Sequence, residues 1–249
     1  MHVSLKQLAH RPWDLPAGPW VMAQNWHDLL FAHWPVPKDL LRVRIPDRLE
    51  VDIFEGRAWV GIVPFRMSGV RLRGTPALPG LSAFLELNVR TYVLADGKPG
   101  VWFFSLDAGS PIAVAIARAW FHLPYFHAGM TCVERDGWIE YRSERTHRRA
   151  VSAELVGRYR PTGEVFRAKS GSLEHFVTER YCLYAVDRRG RVLRGEIHHA
   201  PWALQVAEAK FTRNTMMEVA GFALPDAKPL LHFSRRQDVL VWRPEHIAP

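Results

Sequence analysis

Cysteine and long apolar runs are scarce in this sequence. Among its 249 residues, Cys132 and Cys182 are the only cysteines, and neither has the spacing of a metal-binding motif. No apolar run approaches the roughly 20 residues that cross a bilayer. Charged residues and Pro12 also interrupt the N-terminal stretch where a signal peptide would lie. These absences exclude a disulfide scaffold and a helical membrane protein, and they predict a cytoplasmic protein that does not enter a membrane.

The common catalytic and nucleotide-binding motifs are also missing. The sequence has no HExxH, GxGxxG, Walker or GxSxG pattern. His198 and His199 are adjacent in a predicted strand, so their side chains point to opposite faces and cannot easily share a metal. We therefore predict no cofactor and no metal site, and the catalytic residues, if any exist, stay unknown.

The net charge is strongly positive. The formal value of +8 comes from 33 lysines and arginines against 25 acidic residues, and only six of the basic residues are lysines. The arginines are spread over many turns, and no helix-turn-helix, zinc-finger or RNP-type pattern accompanies them. A solvated, arginine-rich surface explains this charge. Nucleic acid is therefore not expected as a partner, although a basic nucleic-acid-binding surface is kept as a third hypothesis.

Length and composition predict one globular unit. A chain of this size with 48% hydrophobic residues can bury a sizeable core. No linker is long enough to mark a boundary, so we predict a single domain over residues 1–249. Three prolines between His10 and Pro19 indicate that residues 1–20 form an extended N-terminal arm.

The stretch from Phe84 to Tyr125 carries the most specific pattern. Strand alternation from Phe84 places Glu86, Asn88, Arg90 and Tyr92 on one face. An Asp-Gly turn and a return strand over Val101–Asp107 follow. That return strand is apolar on both faces, which indicates burial on both sides. Next, Ser110 and Pro111 are typical of a helix start, and the apolar run after them predicts a buried helix.

The environment of the polar face decides the functional prediction. If the return strand is internal, Glu86 and Arg90 point into an enclosed space. They are separated by about 13 Å along the strand, so each needs another partner or a ligand. The alternative is an edge strand whose polar face is solvated. The sequence alone leaves both open.

The remaining elements are mostly strands joined by short turns. Trp20–Trp34 is a strand or a helix, Leu49–Met67 is a hairpin, and Pro161–Gly163 is a turn. A short helix begins at Ser172, and a second ends at Gly221. Many strands with few helices predict an antiparallel β-rich domain, closed as a barrel or packed as a sandwich.

Several long motifs resemble a known family. They include WHDLLFAHWPVP, LRVRIPDRLEVD, FLELNVRTYV, ARAWFHLPY and HHAPWALQ. This pattern, over about Trp26–Trp242, resembles the YqjF-like family of domains of unknown function. The resemblance implies membership of the acetoacetate decarboxylase-like superfamily. The implied fold is mainly β (α+β): an antiparallel conical β-barrel around an internal cavity, with a few short helices.

The resemblance to the decarboxylase breaks at its catalytic position. In that enzyme a proline precedes two lysines, the first of which forms a Schiff base while the second lowers its pKa. Here Pro124 is followed by Tyr125 and Phe126, and no lysine occurs between Lys98 and Lys169. Because an imine needs a primary amine, we reject acetoacetate decarboxylase activity by the Schiff-base mechanism. Whether the protein is an enzyme of another kind stays open.

These observations lead to one main functional hypothesis. Glu86, Arg90 and Tyr92 from the strand, with Arg118 and Tyr125 from the following helix and turn, would bind a small anionic organic ligand in the cavity. Glu86 could act as a general base if burial raised its pKa. The alternative is a structural or interaction protein whose barrel is filled by its own side chains. A homo-oligomer is expected only by analogy with the superfamily.

Overall fold

The strands form one continuous sheet. A computed structural model describes residues 2–223 and 227–247. The strands are β1 Met22–Val36, β2 Glu50–Val51, β3 Ala58–Leu72, β4 Phe84–Ala95, β5 Lys98–Ala108, β6 Tyr125–Arg135, β7 Trp138–Arg145, β8 Glu154–Phe166, β9 Cys182–Val186, β10 Val192–His198, β11 Leu204–Asn214, β12 Leu230–Val241 and β13 Glu245–His246. The predicted domain also includes residues 1, 224–226 and 248–249, which lie outside the described residues, and its extent stays a prediction.

The sheet closes on itself. Its order is β13-β10-β9-β5-β6-β7-β8-β11-β12-β1-β3-β4-β2, and β4 pairs with β5 to complete a ring of strands. A further pairing joins β10 to β12. Within the described chain, β5 pairs in parallel with β6 and with β9, and the other pairings are antiparallel. The mainly β, largely antiparallel architecture is the one that the sequence predicts.

Helices are few and short. In the described residues they are α1 Lys38–Arg42, α2 Pro111–Trp120, α3 Leu173–Thr178 and α4 Met216–Val219, besides one turn of 3-10 helix at Val3–Lys6. The predicted caps of α2 and α3 are confirmed, because Ser110 and Ser172 each accept a hydrogen bond from a backbone N–H of the first turn. Gly221 follows α4 with φ of 89°, a value that favours glycine.

The largest apolar cluster fills the ring. It collects side chains from strands on all sides, including Trp34 of β1, Ile62 of β3, Val89 of β4, Tyr159 of β8 and Phe233 of β12. On β4 these are the odd-numbered residues. The even-numbered residues, which form the polar face, therefore point away from this cluster into a second layer.

Three sequence predictions about these elements are wrong. Leu49–Met67 is not a simple hairpin: the turn forms at Phe54–Arg57, but β2 pairs with β4. Pro161–Gly163 is not a turn, because β8 continues through it and pairs with β11 beside a register shift. These misreadings share a cause, because strand pairing depends on tertiary contacts that the local pattern does not contain.

Helix α2 is the third misprediction. It does begin at Pro111, but it lies on the outside of the sheet. Val114 is its buried residue, whereas Ile112, Ile116 and Trp120 are exposed. The small alanines between them make the whole run look apolar, although one narrow face suffices for packing.

Candidate functional site

The polar face of β4 is buried. Glu86, Asn88, Arg90 and Tyr92 expose 3%, 4%, 9% and 0% of their surface. β4 lies between β3 and β5 in the sheet, so the alternative of a solvated edge strand is wrong. We call these four side chains the β4 polar face. Their burial means that each polar group needs a partner within the protein or from a ligand.

Helix α3 and nearby segments cover the Arg90 and Tyr92 end of this face. Tyr92 packs with Val177 of α3, and its ring lies 5.3 Å from that of Phe176. Trp202, from the segment before β11, packs edge-on against Phe31 of β1 with 4.9 Å between ring centroids. The covering layer is therefore largely aromatic, which lowers the local dielectric and strengthens electrostatic interactions there.

A glycine in β3 makes room for a side chain from β1 beside one from β4. His33 of β1 and Arg90 of β4 are both register partners of Gly61 of β3. A Cβ on Gly61 would lie 2.6 Å from Nε2 of His33, closer than real contacts allow. The missing side chain therefore makes room for the His33 ring above the sheet.

Arg90 is held by aromatic rings and a carbonyl. Its Nη2 donates to the Val177 carbonyl at 3.2 Å, and its guanidinium lies 5.3 Å from the Phe31 ring and 5.8 Å from the Tyr92 ring. No carboxylate of the described residues forms an ion pair with it. Its buried Nε also has no hydrogen-bond partner there.

Other buried arginines differ from Arg90 in this respect. Arg145 donates to both oxygens of Asp107, at 2.7 to 3.2 Å. Arg180 donates to Asp52 at 2.6 Å. The fold thus neutralises these cations internally. Arg90 has no such carboxylate within the described chain, so its charge is not neutralised there in this way.

His33 and Tyr92 form a hydrogen-bonded pair beside Arg90. The Tyr92 hydroxyl donates to the Val177 carbonyl at 2.7 Å, and Nε2 of His33 lies 2.6 Å from the same hydroxyl. The hydroxyl oxygen is therefore left to accept a hydrogen bond, so Nε2 of His33 carries the proton and donates it to that oxygen as a hydrogen bond. Burial, followed by the charges of Arg90 and His232, holds the pKa of His33 well below its ordinary value. His33 is thus neutral, and its Nδ1 is a hydrogen-bond acceptor.

Unpartnered polar atoms gather in this layer. Within the described residues, six buried atoms here have no hydrogen-bond partner; they are Nδ1 of His33, Nε1 of Trp59, Oδ1 of Asn88, Nε of Arg90, Nε1 of Trp202 and Nδ1 of His232. Buried polar atoms are usually satisfied, so a concentration of exceptions calls for an explanation. The set contains donors and acceptors, and a polar ligand could meet both.

Glu86 and Tyr125 form a second pair at the other end of the β4 polar face. The Tyr125 hydroxyl donates to Oε2 of Glu86 at 2.7 Å. Burial raises the pKa of Glu86 to about 7, and hydrogen bonds from Tyr125 and Asn88 partly oppose that rise. Burial, together with the charge and hydrogen bond of Glu86, holds the pKa of Tyr125 well above its ordinary value. Glu86 is therefore suited to exchange a proton near neutral pH.

The five predicted site residues thus fall into three places. Arg90 and Tyr92 form one pair, Glu86 and Tyr125 form a second pair, and Arg118 is apart from both. Arg118 is exposed, and it donates through Nη1 to the Tyr125 carbonyl at 2.7 Å. Asn88, which was not among the five, lies between the two pairs on β4.

Sequence reasoning missed His33, the Val177 carbonyl and Asn88's link to Glu86. His33 lies in a dense apolar and aromatic run that periodicity could not assign to a strand. Had that run been assigned as a strand, alternation would have placed His33 on the same face as Phe31. No sequence signal could have found the carbonyl.

Other site chemistries have weaker support. No group of three or more metal-binding side chains occurs in the residues that the structure describes. All six lysines are described, and none is buried. Lys98 is partly buried, whereas the other five are exposed, and its Nζ pairs with Glu196 at 3.1 Å. In the described chain, no helix is both long and apolar enough to cross a membrane.

Comparisons with known proteins identify relatives in sequence and in fold. A family model, DUF2071, described as an uncharacterized conserved protein, matches residues 23–238. The uncharacterized protein YqjF of Bacillus subtilis is 46% identical over 229 residues, which are 92% of this chain and 93% of that protein. The predicted family resemblance is confirmed.

Solved structures share the fold at low identity. Acetoacetate decarboxylase from Legionella pneumophila is similar with a TM-score of 0.65 and 12% identity, over 95% of this chain and 91% of that chain. The enduracididine biosynthesis enzyme MppR, in a complex with pyruvate, gives a TM-score of 0.62 and 12% identity, over 96% and 93% of the two chains. These matches show an acetoacetate decarboxylase-like fold.

Proposed function

The chain belongs to the DUF2071 family of uncharacterized conserved proteins, and from this premise we propose that it binds a small organic anion between the β4 polar face and α3. Arg90 binds the anionic group. The observation that carries the proposal is a buried guanidinium whose ring and carbonyl contacts leave its charge without a carboxylate among the described residues. A carboxylate or similar anion would compensate that charge in a layer where it is worth most.

The neighbouring polar atoms define the rest of the ligand. Nε of Arg90 and Nε1 of Trp59 and Trp202 are donors without partners in the described chain, whereas Oδ1 of Asn88 and Nδ1 of His33 are acceptors. A ligand that carries a carboxylate and also a hydroxyl or amine would satisfy both kinds. A hydroxycarboxylate fits this requirement. MppR, which shares the fold, has been solved with pyruvate, a small carboxylate.

Glu86 supplies proton transfer in this proposal. It lies about 13 Å along β4 from Arg90, with Asn88 between them, so a ligand bound by Arg90 must extend along the strand to reach it. A carboxyl group with a pKa of about 7 is half ionised near neutral pH and can accept or donate a proton. None of the six lysines is buried, so none is placed in this layer to form an imine, and this supports chemistry of another kind.

A screen by thermal unfolding tests the proposal. Wild type and Arg90→Met are heated with pyruvate, lactate, malate, succinate, acetate and butylamine at matched ionic strength. We expect at least one carboxylate to stabilise wild type and to lose that effect in Arg90→Met. The exposed variant Arg149→Gln, in the turn after β7, is the matched control and should behave as wild type. Equal stabilisation of wild type and Arg90→Met, or of neither by any carboxylate, would contradict the proposal.

The structural alternative keeps one supporting observation. The ring of strands is filled by its own side chains, as a protein without a binding site would have it. The two hypotheses differ over the second layer, because a purely structural layer would gain nothing from an added anion. The same screen therefore separates them.

A further inference from the structure

A surface cleft lies beside α2, separate from the β4 polar face. Its volume is about 370 Å³, which lies within the usual range for small-ligand sites. Pro111, Val114 and Ala115 of α2 give it an apolar wall. Neither Glu86 nor Arg90 lines it. Its occupant would therefore be bound independently of the ligand proposed above.

Four basic side chains converge on this cleft, and its lining includes no carboxylate. They come from four separate places in the chain: Arg118 from α2, His127 from β6, His147 from the segment after β7, and Arg188 from the turn after β9. Arg188 is exposed and has no ion pair within the part of the chain that the structure describes. Arg118 uses one nitrogen on the Tyr125 carbonyl, which leaves its charge uncompensated.

The hydrogen bonds of the two histidines show which ring nitrogens face the cleft unpartnered. The backbone N–H of His127 donates to Nδ1 of His147 at 3.1 Å, so neutral His147 carries its proton on Nε2. Nδ1 of His127 lies 3.1 Å from the Thr146 hydroxyl, which leaves its Nε2 for another partner. Burial, followed by the charges of Arg118, His127 and Arg145, lowers the pKa of His147. An anion in the cleft would compensate the charges of Arg118 and Arg188.

From this cluster we propose that the cleft binds a phosphate monoester with an apolar group. A phosphate monoester carries close to two negative charges at neutral pH and offers three acceptor oxygens. Two guanidinium groups and two imidazoles can donate to those oxygens, whereas a single carboxylate would leave most of these donors unused. The wall formed by Pro111, Val114 and Ala115 contacts the apolar group.

Calorimetric titration with phenyl phosphate tests this inference, with inorganic phosphate and phenol as comparison probes. We expect phenyl phosphate to bind wild type more tightly than either comparison probe. Arg188→Gln should weaken binding by about tenfold, the loss typical of one hydrogen bond to a charged group. Arg189→Gln, in the same exposed turn but outside the cleft, is the matched control and should bind as wild type.

Three results would overturn the inference. Equal losses in Arg188→Gln and Arg189→Gln would indicate attraction to the basic surface as a whole. Equal affinity for inorganic phosphate and phenyl phosphate would remove the role of the apolar wall. Loss of phenyl phosphate binding in Arg90→Met would place that ligand in the other site. Retained binding in Arg90→Met supports two independent sites, whatever the outcome of the carboxylate screen.

Discussion

The contrast between Arg90 and Arg145 is the most informative feature at the scale of single residues. Both guanidinium groups are buried, but only Arg145 has a carboxylate in the described chain. Removing one partner of a buried ion pair leaves the other charge uncompensated. Removing a cation that has no ion-pair partner leaves no charge behind. Replacing Arg90 and replacing Arg145 with an uncharged residue should therefore change the free energy of unfolding by different amounts or in different directions.

Methionine is a suitable replacement because it keeps most of the side-chain volume. We predict that Arg145→Met lowers the free energy of unfolding by about 3–5 kcal/mol, because Asp107 stays buried without its partner. The free energy of unfolding of Arg90→Met should be higher than that of wild type or at most about 1 kcal/mol lower, since the Val177 carbonyl keeps its hydrogen bond from Tyr92. Urea unfolding without added ligand measures both. A large loss in Arg90→Met would show that its charge is already compensated.

The raised pKa of Glu86 leads us to predict that the free energy of unfolding depends on pH. Its pKa is raised from 4.5 to about 7 in the folded protein. Between these values the folded state binds more protons than the unfolded state, so stability falls as pH rises. The stabilising contribution is complete below pH 4.5 and is lost by about pH 7. The shift corresponds to about 3 kcal/mol.

The variant Glu86→Gln removes this titration. We predict that the difference in unfolding free energy between wild type and Glu86→Gln changes by about 3 kcal/mol between pH 4.5 and pH 8, in favour of the variant at high pH. Urea unfolding across this range measures it. Tyr125 keeps a hydrogen-bond acceptor in the variant, which isolates the charge. A difference independent of pH would mean that Glu86 titrates normally.

At the residue scale, alternation in β4 correctly placed Glu86, Arg90 and Tyr92 on one face. It could not tell which residues from distant segments complete the site. Tyr125 reaches Glu86, whereas Arg118, seven residues earlier, turns to the surface. The difference depends on how α2 lies against the sheet, and local sequence does not encode that position.

At the scale of elements, one residue of β1, Asp28, contacts both of the strands that pair with β1. Asp28 lies in a register shift of β1, with φ of 53°. Its buried carboxylate accepts hydrogen bonds from Arg66 of β3 and from Arg235 of β12. The Asp28 carbonyl also accepts a bond from the Tyr159 hydroxyl at 2.8 Å. This aspartate thus fixes the irregular part of the strand.

Two substitutions separate the backbone contribution of Asp28 from its charge. Asp28→Asn retains a residue that tolerates positive φ and should cost about 1–2 kcal/mol through weaker hydrogen bonds. Asp28→Ala should cost about 2–4 kcal/mol, because alanine also strains at this φ. Urea unfolding measures both, with the exposed Glu144→Ala as a control of small effect. Equal losses in the two Asp28 variants would remove the backbone contribution.

Most elements could be predicted from the sequence, and the failures share a physical origin. Caps and Asp-Gly turns are local, so Ser110, Ser172 and the turn at Asp96 were identified correctly. Pro161–Gly163 failed because pairing with β11 holds the chain extended through residues that usually break strands. Tertiary pairing overrode local preference there.

At the scale of the molecule, one curled sheet creates two environments. Its inner side is filled by apolar side chains, and the polar residues of β4 occupy the other side, where α3 covers Arg90 and Tyr92. The sequence predicted the barrel class, partly through the family resemblance, but it left open whether the polar face of β4 is buried or solvated. It could not predict that this face lies outside the main apolar core, because alternation gives two faces without saying which one points inward.

The most direct measurement of the central claim is calorimetric titration of wild type, Arg90→Met and Arg149→Gln with the carboxylate that stabilises wild type most in the thermal screen. The account predicts binding to wild type and to Arg149→Gln with equal affinity. It predicts at least about tenfold weaker binding to Arg90→Met, since a buried, charge-assisted contact is lost. Equal affinity in all three proteins would contradict the claim that Arg90 is the anion-binding group.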